Sequence, residues 1–166
     1  MIFVTVGNAH DPSLRLLQGV ERLAGEGVFG GEKVVIQSGH NPDFKSQWCQ
    51  QQAFFGMDEF HQMMQEASAV ICHAGAGTLS AALRAGKTPV VLPRRLKYNE
   101  IVDDHQIELL EAFAKLGLVV PALEVEDLPA ALREARGRPP VSVENNVAPL
   151  QMIGRAVEQL LNDATL

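Results

Sequence analysis

The feature that most narrows the fold is an alternation. Short β-branched or apolar runs are separated by stretches whose apolar residues return at helical spacing. Ile2 to Val6 is the first run; Leu16, Leu17, Val20, Leu23 and Ala24 then line a helix behind the start signal Asp11-Pro12-Ser13. Lys33 to Gln37 predicts a second strand, followed by a polar loop from Ser38 to about Ser46, and Ala53-Phe54-Phe55 is expected as a third. Phe60, Met63, Met64 and Ala67 make one helical face after Asp58, with the methionines read as core packing. Ala69 to Cys72 is a fourth strand, Leu79, Ala82 and Leu83 line a helix stopping near Gly86, and Pro89 to Leu92 is a fifth strand. Asp103 to Leu116 predicts a helix ending at Gly117, Leu118 to Val120 a sixth strand, and Leu128 to Ala135 another helix. Leu150, Ile153, Val157, Leu160 and Leu161 form the stripe of a closing helix. Strands alternating with helices build a parallel sheet covered on both faces. The expected class is therefore α/β: a Rossmann-like, doubly wound parallel sheet, with residues 1–166 as a single domain.

Other classes are disfavoured. The longest purely apolar runs hold only a few residues, far short of the roughly 20 that span a bilayer. The opening Met-Ile-Phe-Val-Thr-Val-Gly has neither the basic flank nor the cleavage site of a secretory signal. Cys49 and Cys72 form no CxxC pair, so neither a disulfide framework nor a zinc site is indicated, and a cytoplasmic location is expected. The net charge of −6 argues against nonspecific nucleic-acid binding and against an electrostatic hold on an acidic membrane.

Ligands of open parallel sheets bind beyond the carboxyl ends of the strands, and the unusual residues gather there. Gly7, Asn8 and His10 follow the first run; Ser38, Gly39 and His40 follow the second; Gly56 and Met57 follow the third. The fourth leads into His73-Ala74-Gly75-Ala76-Gly77-Thr78, the fifth into Arg94, Arg95 and later His105 and Gln106. Four of the five histidines thus share one rim, whereas His61, in mid-helix, reads as a surface or packing residue. The Gly75–Thr78 loop precedes a helix, whose free N–H groups favour a phosphate. It is neither a Walker A loop nor a dinucleotide fingerprint, so it reads as a tight strand-to-helix turn or a phosphate cradle. Arg94, Arg95 and Lys97 read as a solvated loop, as cations for a diphosphate, or as a docking loop. Asp103 or Asp104 suits an N-cap, which leaves His105 and Gln106 facing the rim; the amide of Gln106 suits sugar hydroxyls.

Four motifs in order, Val4-Thr5-Val6-Gly7, His73 to Thr78, Leu83-Arg84-Ala85-Gly86-Lys87 and Asp103-Asp104-His105-Gln106, carry a resemblance. The chain resembles the C-terminal domain of MurG-type glycosyltransferases in its free-standing form. That group includes the catalytic subunit of the dolichol-linked N-acetylglucosaminyltransferase and the PssE-like proteins of polysaccharide synthesis. The resemblance implies a GT-B C-terminal half-fold that binds a UDP-sugar, with no cofactor or catalytic metal. It also implies a membrane-associated PssD-like partner chain that supplies the acceptor half, and a hexose or N-acetylhexosamine passed to a lipid-linked acceptor. Gly7 and Asn8 match the loop that approaches the diphosphate, and Met57 a position whose backbone meets the uracil. His73, Gly75, Ala76, Gly77 and Thr78 match the donor loop. Gln106 matches a sugar-contacting glutamine; Arg94 and His105, read on the same rim from the residues themselves, complete the expected substrate-binding set.

Two positions depart from the pattern. Ala81 stands where relatives commonly carry a glutamate for the ribose hydroxyls, and the loop Gly7-Asn8-Ala9-His10-Asp11 lacks the usual aromatic. His10 is the candidate general base because an imidazole titrates near neutrality, with a base from the partner chain as the alternative. A catalytically degenerate scaffold or regulator is the competing reading. A flavodoxin-like regulator would want an acidic first loop, which Gly7-Asn8-Ala9-His10 is not.

Overall fold

The computed structural model describes residues 1–102 and 105–141. Among them, β1 (Ile2–Thr5), β2 (Val34–Gln37), β3 (Gln50–Gln52), β4 (Ala69–Cys72), β5 (Val90–Val91) and β6 (Val120–Pro121) form one sheet in the order β3-β2-β1-β4-β5-β6. Every pairing is parallel. The helices are α1 (Leu14–Gly25), α2 (Met57–Glu66), α3 (Ala76–Arg84), α4 (His105–Lys115) and α5 (Leu128–Gly137). The expected α/β, Rossmann-like doubly wound sheet is the observed one.

Strand geometry explains how one sheet serves two cores. Successive side chains point to opposite faces, and Ile2 aligns with both Val34 and Ala69. Ile2, Val4, Ile36 and Ile71 therefore share a face, where they meet Leu17, Val20 and Leu23 of α1 and Leu128 and Leu132 of α5. Phe3, Val35 and Val70 take the other face, against Met64 of α2 and Ala82 of α3. Farther along that side, Cys72 and Val91 pack with Leu79, Leu83, Leu110 and Phe113. Phe3 is fully buried, and the rings of Phe55 and Phe60 meet it edge-on at 5.9 and 5.6 Å. Such aromatic pairs contribute about 0.5–1.5 kcal/mol each beyond area burial.

Two strands differ from the expectation. The third is Gln50–Gln52, ahead of the aromatic run Ala53-Phe54-Phe55. An edge strand needs only backbone pairing, and β3 pairs with β2 alone. The Gln51 amide donates to the carbonyl of Phe44 (2.8 Å) and to the Ser38 hydroxyl (3.2 Å), which ties the strand to its preceding loop. Phe54 and Phe55 leave the sheet, one to His40 and the other to Phe3. The sixth strand begins at Val120: the Leu118 N–H is taken by the Phe113 carbonyl at the end of α4 (3.1 Å), and the Val120 N–H reaches Pro89 beside β5 (3.0 Å). Ser13 immediately precedes α1 as expected, although its hydroxyl does not cap the helix. The closing helix expected over Leu150–Leu161 and the N-cap expected at Asp103 or Asp104 lie outside the described residues.

The basic segment after β5 is not a free cationic loop. Arg15 of α1 grips Glu100 through Nε (3.0 and 3.2 Å) and Nη2 (3.0 Å), and the backbone N–H of Arg95 donates to the same carboxylate at 3.1 Å. Arg95, Lys97 and the Tyr98 hydroxyl converge on Glu124 at 3.3, 2.6 and 2.7 Å. Two carboxylates thus answer the charges of Arg15, Arg95 and Lys97. Glu100 is only 7% exposed, so truncating it removes the main partner of a largely buried guanidinium, which keeps the Pro93 and Leu123 carbonyls and the Glu124 carboxylate at 3.8 Å. Glu100→Ala should cost about 3 kcal/mol, the low end for breaking a buried pair because Arg15 keeps some solvent contact. Urea denaturation will register this as a lower midpoint at an unchanged slope.

Candidate functional site

The sheet order reverses between β1 and β4. From β1 the chain winds outward through β2 and β3; from β4 it winds the other way through β5 and β6. Loops leaving the carboxyl ends of these neighbours diverge to opposite faces, and a crevice opens between them. A cavity of 480 Å³ lies there, in the size range of small-ligand sites. Gly7 and Asn8 enter it from β1, Gln37 from β2, His73 from β4, and Gly75, Gly77, Thr78 and Ala81 from α3 and its approach. Phe55, Met57, Phe60 and His61 form its remaining wall.

His73 sets the shape of the floor. Gly7 has φ +67°, and a Cβ there would meet the His73 ring at 2.7 Å; a Cβ at Gly75 would meet it at 2.3 Å. The imidazole therefore lies against two bare α-carbons, and both neighbours must be glycine. Gly39 packs against the carbonyl of Gly7 in the same way. Burial drives the His73 pKa down to about 3, and the nearby Arg94 charge pushes it the same way. The Thr5 backbone opposes them, although Nδ1 has no partner of hydrogen-bonding geometry. His73 is thus a neutral imidazole at physiological pH. Above it, Gly75 precedes α3, whose first N–H groups lack helical acceptors and whose first turn carries no acidic residue. That end attracts an anion.

A polar network under the crevice joins the strand ends. Gln37 donates to the Thr5 hydroxyl (3.2 Å) and accepts from the Phe55 N–H (3.2 Å). Asn41 accepts from the Ser13 N–H and donates to the carbonyl of Ser38. Arg94 belongs to this network. It is 3% exposed and donates to the Ser13 hydroxyl at 2.9 Å and the Val6 carbonyl at 3.3 Å, with Asp11 at 4.0 Å. Its backbone N–H donates to Gln106 Oε1 at 3.0 Å.

Of the residues expected at the site, Gly7, Asn8, Met57, His73, Gly75, Gly77 and Thr78 line one cavity. Ala76 opens α3 beside it. Arg94 and Gln106 are not among its lining residues and are bonded to each other. His10 stacks on His40 at 3.9 Å between ring centres and is exposed on the neighbouring rim, outside the cavity lining. His105 begins α4, and its side chain lies outside the described residues. Sequence reasoning missed Gln37, Phe55, Phe60 and His61 as lining residues. One signal was available: Met57, Phe60 and His61 stand three and four residues apart, on one helical face.

Residues 1–159 match the glycosyltransferase family 28 C-terminal domain. The chain belongs to that family. Proteins named UDP-N-acetylglucosamine transferase subunit ALG13 are its relatives in two fungi. The one from Yarrowia lipolytica is 42% identical over 64 residues, 38% of this chain and 31% of that protein. The one from Cryptococcus neoformans is 41% identical over 73 residues, 43% and 34% respectively. The matched stretch is about a third of those relatives' length. Among solved structures, the glycosyltransferase of kitacinnamycin superposes with a TM-score of 0.60 at 18% identity, covering 93% of this chain and 39% of the other. CalG4, the calicheamicin glycosyltransferase, gives 0.58 at 17%, covering 97% and 41%. The family 28 domain thus has the fold of part of a larger glycosyltransferase, as the expected GT-B half-fold requires. Among its described residues, no helix is long and apolar enough to cross a membrane, and no three His, Cys, Asp or Glu side chains cluster as metal ligands.

The buried histidine of this family 28 domain should be visible in its acid stability. A histidine whose folded pKa lies below its unfolded value destabilises the fold as pH falls from about 6.5 towards 3, because the unfolded chain takes up the proton first. The slope reaches at most about 1.4 kcal/mol per pH unit. Glu21, Glu32 and Glu124 have lowered pKa values, so they lose stability only below the ordinary carboxylate range. Between about pH 4.5 and 6.5 the buried His73 therefore contributes a positive slope of stability with pH. His73→Asn should flatten that slope, and an unchanged slope would place the proton elsewhere.

Proposed function

We propose that this chain is the donor-binding subunit of a two-chain glycosyltransferase that takes its sugar from a UDP-sugar. The observation that carries the reading is the crevice at the strand reversal. It joins a phosphate-attracting end, Gly7 and the α3 N-terminus over a neutral His73, to an apolar wall of Phe55, Met57 and Phe60. Such a site suits a ligand that is anionic at its middle and flat at one end. The relatives' name, UDP-N-acetylglucosamine transferase subunit, supports both the donor class and the need for a partner.

In this reading the diphosphate lies on the amides of Gly75 to Thr78, and the nucleoside lies against Met57. The sugar reaches towards Gln106, whose oxygen is already held by the Arg94 N–H, leaving its amide nitrogen as the donor group. Transfer breaks the bond between the anomeric carbon and the diphosphate, which leaves with the electron pair. The acceptor oxygen bonds to that carbon and loses its proton to a base. Fixed backbone dipoles stabilise the departing charge without reorganising. His10 lies outside the cavity, so a base from a membrane-associated, PssD-like acceptor-binding partner suits the geometry better. A lipid-linked acceptor of polysaccharide synthesis and a place at the cytoplasmic membrane face complete the proposal. No metal or other cofactor is assigned a role.

The second reading, a scaffold that has lost donor binding, is favoured by Ala81, which lines the crevice without a hydrogen-bonding side chain. Calorimetric titration with UDP separates the two: binding between micromolar and millimolar supports the donor subunit, and none at millimolar supports the scaffold. Gly77→Val is the sharpest variant, because a Cβ there has nothing within 4 Å. Valine is accommodated by the fold but fills the approach to the α3 amides. Its affinity for UDP should fall at least about tenfold, a loss of about 1.4 kcal/mol, at an unchanged melting temperature. Ala81→Glu should tighten UDP by restoring a charged hydrogen-bond acceptor, a contact of about 1.5–3 kcal/mol.

A further inference from the structure

We infer that His61 tunes the affinity of the crevice for its anionic ligand by adding a positive charge on protonation; this rests on the donor reading above. The argument starts from the charges the crevice lacks. Among the described lining residues there is no Asp, Glu, Lys or Arg. A nucleotide-sugar brings two negative charges, and a helix N-terminus answers with about half a unit of positive charge. Arg94, the cation nearest in sequence to the rim, is buried behind the floor on Ser13 and Val6. Its charge reaches the site through the floor, where it helps to keep His73 neutral, and it does not change between about pH 5 and 8.

His61 is the remaining titratable lining residue. It lies on α2 one helical turn beyond Met57, exposed to the crevice, with its ring edge-on to Phe60 at 6.1 Å. On its own helix the charged neighbours are Asp58 and Glu59 in the first turn and Glu66 at the end; Glu66 accepts from Gln62 at 2.7 Å. It shares the cavity lining with Gly77, Thr78 and Ala81 from α3 and, from the strand ends, with Asn8, Gln37 and the neutral His73. No opposing element among the described lining residues offers a carboxylate to cancel a charge at His61. Imidazoles as a class change charge between about pH 5 and 8. The diphosphate of a nucleotide-sugar, doubly esterified, stays fully ionised throughout, so pH dependence in its binding belongs to the protein. One unit charge across a solvated cavity changes affinity by about threefold to tenfold.

The test is isothermal titration calorimetry of the full chain with UDP-N-acetylglucosamine at about pH 5.5 and about pH 8, with uridine as the uncharged control. The wild-type chain should bind the nucleotide-sugar about threefold to tenfold more tightly at the lower pH and uridine equally at both. His61→Gln should bind the nucleotide-sugar equally at both values, and His61→Lys should keep the tight affinity at the higher one. Wild-type affinity that ignores pH, a pH response that survives in His61→Gln, or an equal response with uridine would each overturn the role of His61 while leaving the donor site standing. Absence of binding by the nucleotide-sugar at millimolar concentration at both values would overturn the donor reading and this inference with it.

Discussion

Burial of the central strands on both faces is the constraint from which the other features follow. Ile2, Phe3, Val4, Val70 and Ile71 are each fully buried, and their side chains alternate between two separate cores. A strand with no solvent-facing side has no place for an unpaired polar side chain along its length, because burying one without a partner costs about 1–3 kcal/mol. Polar chemistry is therefore displaced to the strand ends. At β1 and β4 the reversal of strand order holds the two ends apart, and the vacant wedge becomes the crevice.

The displaced polar groups are satisfied by one another, and this makes the floor of the crevice rigid. Thr5, Gln37, Asn41, Ser13 and Arg94 link the ends of β1, β2 and β5 into one network. Nδ1 of His73 is an exception, a buried nitrogen without a partner. The Cε1–Nε2 edge of the ring lies where Gly7 and Gly75 come closest, so packing against the two α-carbons decides the ring's position. Local cost at a functional crevice is common where the surrounding structure over-determines the geometry. Arg94 contributes twice: its guanidinium fastens the loop before α1, and its backbone N–H orients Gln106.

Much of this was legible in the residues. Five of the six strands follow from short apolar runs and the five described helices from apolar residues at helical spacing, and the glycine loop followed by a helix marked the anion-attracting end. The edge strand was misplaced because pairing by backbone alone leaves no apolar signature: Gln50-Gln51-Gln52 looks like loop. His61 was read as packing or surface because one helical position says nothing about which element faces it. Arg94 was read at the ligand because cations near strand ends suit diphosphates, yet its partners Ser13 and Val6 lie more than 80 residues away along the chain.

By itself, the sequence determined the order and kind of the elements, the two-sided burial of the sheet, and the edge on which polar residues gather. Each of these is written in local spacing, within reach of a few neighbouring residues. Tertiary structure decided which rim residues meet: His73 between Gly7 and Gly75, His61 into the cavity, His10 away from it, Arg94 beneath it. Those outcomes depend on contacts between segments distant in the chain, set by strand register and helix packing, and no local pattern encodes them.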